Sequence, residues 1–116
     1  MAMGLTARFR WKVGDLEGAI AANKEAMSIR RNLGMIVWFA NAIRFHGLLL
    51  ADLGEAEMAT TLLAVTERHT SDQRDEAAEA ETALTTAREQ LALQKFRRIW
   101  EKGVTMDLEE AYGLIQ

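Results

Sequence analysis

"GDLEGAIAANKEAM", residues 14–27, and "GEAEMATTLLAV", residues 54–65, begin in the same way. Each has a glycine, then an acid, then a helix-forming run with alanine five places after the glycine: Gly14 to Ala19, Gly54 to Ala59. A third glycine, Gly34, stands midway, so the three are spaced evenly by twenty residues. Each follows an apolar-periodic run, where glycine can adopt the left-handed conformation that ends a helix. The spacing predicts helices that turn back on one another as hairpins. Each hairpin leaves an apolar face that only a neighbour can cover, which is why the turn is written more than once.

Working outward, a first helix is expected from about Met3 to Val13, with Leu5, Phe9 and Val13 on its apolar face and Arg8 and Lys12 opposite. Asp15 is the expected N-cap of a second helix. That helix carries Leu16, Ala19, Ile20, Ala26, Met27 and Leu33, with Glu17, Lys24, Glu25, Arg30 and Arg31 on its wet side. The third, from about Met35 to Gly54, is apolar nearly all round (Ile36, Val37, Phe39, Ile43, Leu49, Leu50, Leu53). It is expected to be covered on several sides. The fourth runs from Glu55 to about His69 and buries Ala59, Leu62, Leu63 and Val65. Small residues at Ala19 and Ala59 let helices approach closely.

Residues 69–82, "HTSDQRDEAAEAET", form the polar break. A long charged helix is expected after it, with Ala83, Leu84, Ala87, Leu91, Phe96, Ile99 and Trp100 as its apolar seam and Gly103 as its end. "DLEEAYGLI" then reads as a short helix with a reciprocal cap between Asp107 and Glu110. Its Leu108, Ala111, Tyr112 and Ile115 would pack it back.

Composition agrees. The 116 residues suit one domain or a piece of a larger protein, and 49% hydrophobic against 27% charged argues for a folded chain. There is no proline, alanine, leucine and glutamate abound, and no sustained period-2 run suggests a sheet. A net charge of -3 gives no global field for nucleic acid. Without cysteine, disulfides and thiolate metal sites are ruled out. No apolar stretch reaches the roughly 20 residues a membrane span needs, and the N-terminus lacks the core of a secretory signal. A cytoplasmic location is the expectation.

The turn residues Gly14, Asp15, Ala19 and Gly54, Glu55, Ala59 resemble the second helix of a tetratricopeptide-type repeat, here with a period of about forty. The segment "ALTTAREQLALQKFRRIWEKGVTMDLEEAYGLI" resembles the closing part of bacterial, often actinobacterial, transcriptional regulators. Those are LuxR-like and antibiotic-regulator-like proteins with a DNA-binding domain, a signal-transduction P-loop ATPase and a C-terminal helical-repeat sensor. The matching positions are Arg88, Leu91, Phe96, Trp100, Gly103, Leu108, Glu109, Glu110 and Ala111. Ala92 stands where that pattern has glycine, which leaves open whether the helix breaks there or two helices run on as one. The resemblance implies an all-α fold of tetratricopeptide-like antiparallel helical hairpins stacked into a short array. Residues 1–69 would be two hairpins and residues 70–116 the C-terminal capping helices of the same domain. It also implies the sensor part alone. No GxxxxGK[ST] motif occurs, and no helix pair is left over for a helix-turn-helix. A truncated regulator and a stand-alone module both fit.

Few residues invite chemistry. His46, in the apolar third helix, reads as a core imidazole, and His69, at a helix end, suits the dipole. The acids Asp72, Asp75, Glu76, Glu79, Glu81 and Glu89 read as a solvated helix face. Among the basic residues Lys95, Arg97, Arg98 and Lys102, the interleaved Phe96 and Trp100 fall at i and i+4, a packing seam rather than a stacking platform. Arg8, Arg10 and Lys12 are read in the same way. Ser28 and Ser71 have no catalytic partner. No catalytic, cofactor or metal site is therefore expected, and the chain is read as a non-enzymatic protein-interaction module with a protein or peptide partner. Asn23, Asn41 and Arg44 are the candidate partner-binding residues, with hydrogen bonding to neighbouring helices as their other reading. Trp11 joins them, as a partner contact or as a residue that a preceding repeat would cover. An exposed apolar patch is expected at the N-terminal end, through which a homo-oligomer could form. No direct nucleic-acid or membrane contact is expected. The alternative function is a small-molecule sensor pocket between the hairpins, with His46 and Arg44 as polar handles.

Overall fold

The computed structural model describes residues 2–67, 69 and 74–115, with side chains over 6–67, 69 and 77–115. Among the described residues there are seven α-helices and no strand: α1 (Ala2–Lys12), α2 (Leu16–Asn32), α3 (Ile36–Asp52), α4 (Ala56–Thr66), α5 (Arg74–Gln90), α6 (Leu93–Val104) and α7 (Leu108–Ile115). None is long and apolar enough to cross a membrane.

The three evenly spaced glycines build one turn three times. Gly14, Gly34 and Gly54 have φ of 87°, 71° and 84°. At each, the glycine N–H bonds the carbonyl three residues back (Trp11, Arg31, Ala51). The next N–H bonds the carbonyl five back (Arg10, Arg30, Leu50). This is the Schellman arrangement, and it satisfies two orphan carbonyls while reversing the chain. The residue that closes one helix starts the next, so each turn costs only three residues. Asp15 caps α2 as expected, its Oδ1 accepting from Gly18 N–H at 2.9 Å. At α7 the reciprocal cap forms, with Glu110 N–H to Asp107 Oδ1 at 2.8 Å and Asp107 N–H to Glu110 Oε1 at 3.2 Å.

Packing follows chain order through the first four helices, and α4 is then covered by α5, α6 and α7 as well as α3. One core cluster joins Met27, Phe39, Ile43, Leu62 and Val65 to Ala111 and Ile115 of α7. A second joins Leu48, Ala51, Ala59 and Leu63 to Ala83 of α5, with Trp11, Phe45 and Trp100 packed against it.

Four expectations are corrected. On α1, Phe9 and Val13 point outward, while Ala7 is buried and Trp11 half-buried; the helix turns its small-residue side to α2 to approach closely. The start of α3 is not covered, for Ile36, Val37 and Trp38 are exposed beside Leu33. The helix beyond the polar break does not run through Ala92. Ala92 is extended (φ -61°, ψ 144°), which separates α5 from α6 without glycine or proline. Gly103, expected as a terminator, lies inside α6. A Cβ there would sit 2.6 Å from that of Ala64 and 3.1 Å from the Thr61 carbonyl. The break re-aims α6 onto α4, and the glycine permits the contact.

Candidate functional site

Helix α3 forms the floor of a groove whose walls are α1 and α5. Among the described residues, two cavities in it are lined by these three helices. One, of about 250 Å3, is lined by Trp11, Leu48, Asp52, Ala78, Glu79, Thr82, Ala83 and Thr86. The other, of about 20 Å3, is bounded by Arg8, Asn41, Arg44, Phe45, Leu48 and Glu79. An Arg8–Glu79 fork spans from wall to wall between them, with Nη1 and Nη2 each donating to a carboxylate oxygen at 3.0 Å. The planar guanidinium matches a carboxylate in two bonds, which fixes orientation as well as energy. It also lies over the rings of Phe45 (5.1 Å) and Trp11 (5.8 Å).

Trp11 is the hub of the larger cavity. Its ring meets Phe45 edge-on with centroids 5.4 Å apart, and its Nε1–H donates to Asp52. Lys12 Nζ approaches the same ring at 5.4 Å. Its two sequence readings are a partner contact and a residue covered by a preceding repeat; in the structure it is half-buried by its own chain and lines this cavity. Asn41 and Arg44 also reach the groove, both half-buried. Asn41 Oδ1 is buried and meets no donor among the described residues.

Asn23 is elsewhere. It is buried, and its Nδ2 donates to the Ala42 carbonyl at 2.8 Å, tying α2 to α3. Its other reading, a bond between neighbouring helices, is the one observed. His46 is likewise inside the core and lines neither groove cavity. Burial, with a lesser push from the charge of Lys24, lowers its pKa to about 4, so it is a neutral imidazole near pH 7. His69, Arg30, Met35, Ile36, Phe39 and Leu108 border a separate space of about 410 Å3 where the α2–α3 turn meets α7.

The remaining candidates have structural uses. Arg10 pairs with Asp15 at 3.0 Å, and Arg31 forks onto Glu109. Lys95 meets Glu57 at 3.3 Å. Phe96 is buried and stacks with Trp100 at 6.1 Å, the packing seam that the spacing predicts. Ser28 Oγ shares a 2.8 Å hydrogen bond with the Tyr112 hydroxyl. Asp72, and the side chains of Asp75 and Glu76, lie outside the described residues, as does Ser71. Among the described residues no group of three or more His, Cys, Asp or Glu could hold a metal ion.

Sequence reasoning missed Arg8, Phe45, Asp52 and Glu79 as groove residues. Asp52 did carry a signal. An acid in the last turn of a helix opposes the dipole and wants a donor, here Trp11. Glu79 carried none, since its pairing spans 71 residues. No protein-family model matches the chain, and no curated protein or solved structure shows a match to it.

Proposed function

We propose that the chain is a non-enzymatic protein-interaction module. It would be a short tetratricopeptide-like array resembling the C-terminal helical-repeat sensor of a bacterial transcriptional regulator, without the ATPase and DNA-binding parts. The observation that carries this reading is the groove: among the described residues, its two cavities are lined by the alternate helices α1, α3 and α5. Stacked hairpins put every second helix on one face, where an extended or helical segment can be gripped without any bond being made or broken. Aromatic rings and guanidinium groups, the side chains that dominate interface energetics, gather there as Trp11, Phe45, Arg8 and Arg44. The same reading places a second copy at the N-terminal end, where Phe9 and Val13 are 67% and 63% exposed.

Panning a random 12-residue peptide library on the immobilised full chain tests the proposal. The expected result is an enriched sequence family whose binding to Arg44→Ala falls at least tenfold, with the helical circular dichroism unchanged. Absence of enrichment, or enrichment indifferent to Arg44, contradicts it.

A further inference from the structure

The Arg8–Glu79 fork divides the groove. Glu79 and Leu48 line both cavities, so the fork and the floor beneath it form the partition between them. A segment laid along the groove needs the two spaces joined, and the fork lies across its path.

The two walls are not packed on one another. Among the described residues the backbone of α1 packs closely on α2, that of α5 packs on α3 and α4, and α1 with α5 is not one of the closely packed pairs. The fork bridges them through two partly exposed side chains. A bidentate pair in that setting has a well-defined geometry but little net energy, since water and salt screen it. That suits a catch rather than a strut. The two partners are also held differently. Arg8 rests on the rings of Phe45 and Trp11 and so stays with the floor. Glu79 meets Arg8 through its carboxylate and can leave it by a rotamer change.

We propose that the Arg8–Glu79 fork is an autoinhibitory clasp: it keeps the groove divided, and a partner segment enters only when Glu79 parts from Arg8. The gating stands on the geometry, and the autoinhibition rests on the interaction reading.

The chain has no cysteine, so a thiol placed on the floor reports entry to the groove. Leu48 and Leu49 are both buried, but Leu48 lines both cavities and Leu49 lines neither. Leu48→Cys and Leu49→Cys, each with and without Glu79→Gln, are labelled with the small neutral reagent methyl methanethiosulfonate. The expected result is labelling of the Leu48→Cys thiol about threefold faster with Glu79→Gln, the scale of one partly exposed ion pair, and an unchanged rate at Leu49→Cys. An unchanged rate at Leu48→Cys, or an equal acceleration at Leu49→Cys, overturns the clasp. Gln keeps the size of Glu and loses only its charge, so the variant should fold. Should circular dichroism show otherwise, Arg8→Lys, which keeps the charge but not the fork, must give the same contrast. A library-selected peptide should bind Glu79→Gln about threefold tighter than the parent chain, and equal or weaker binding overturns the autoinhibition. If panning selects no peptide, the interaction reading fails and the autoinhibition with it, while the labelling still decides the gating.

Discussion

The two halves of the chain reach the same all-helical end by different means. From α1 to α4 each turn is closed by its own backbone, through a left-handed glycine and two hydrogen bonds within six residues. From α5 to α7 no glycine has positive φ, and the helices are placed by what they touch on α3 and α4. The groove needs both: a floor and one wall from the locally written half, the other wall from the docked half. Local signals are legible one segment at a time; docking is not, because it depends on pairs far apart in sequence.

The largest expected effect strikes the docked half. Phe96 is buried against the stacked Trp100 and under Arg88. Phe96→Ala should cost about 3–5 kcal/mol in urea unfolding. Amide exchange should quicken in α6 more than at the three glycine turns. Equal acceleration everywhere would mean that the halves do not differ.

Next is a pH effect seated in the first half. Folded His46 binds its proton only near pH 4, against 6.5 as its ordinary value. Between those values the unfolded chain holds more protons, so stability should fall as the pH drops from 6.5 and level off below 4. The whole loss is on the order of 3 kcal/mol. His46→Leu should flatten that slope. The carboxyls act lower on the scale. Asp15 is depressed by the Gly18 amide and then by Arg10, and Glu109 by Arg31. Their contributions are complete above their ordinary values of 3.8 and 4.5 and are lost below them.

Smaller still is Gly54→Ala. The left-handed backbone resists a Cβ, which should cost about 1–2 kcal/mol although nothing lies within 4 Å. The same substitution at Gly113, a helical glycine whose added Cβ likewise meets nothing within 4 Å, should be neutral or slightly stabilising. Smallest is Asp107→Ala, which removes the α7 cap and should cost about 1 kcal/mol. Both are read from urea midpoints, and a reversed order would break the contrast between the halves.

The sequence was a good guide where structure is local. The turns at Gly14, Gly34 and Gly54, the Asp15 cap, the Asp107–Glu110 box and the burial of Ala59, Leu62 and Leu63 were all legible. The outward Phe9 and Val13 were not. The i, i+4, i+8 spacing identifies a face but not what lies opposite it, and α1 turned its Ala7 side inward instead. The helix break at Ala92 carries no propensity signal, and the close approach of Gly103 to Ala64 joins residues far apart in sequence. Of the proposed contact residues, Asn41, Arg44 and Trp11 share the groove, while Asn23 is consumed by a backbone bond. An asparagine on a helix is equally plausible in either role until its neighbour is placed.

Two tryptophans allow the sharpest test that the groove is the working face. Trp11 lies in it, and Trp38 lies outside, 51% exposed beside Leu33 and Ile36. The affinity of a library-selected peptide should be measured for Trp11→Ala and Trp38→Ala side by side, with folding checked by circular dichroism. The account predicts at least a tenfold loss for Trp11→Ala and less than a twofold change for Trp38→Ala. The reverse pattern would move the binding face to the α2–α3 turn and contradict the groove.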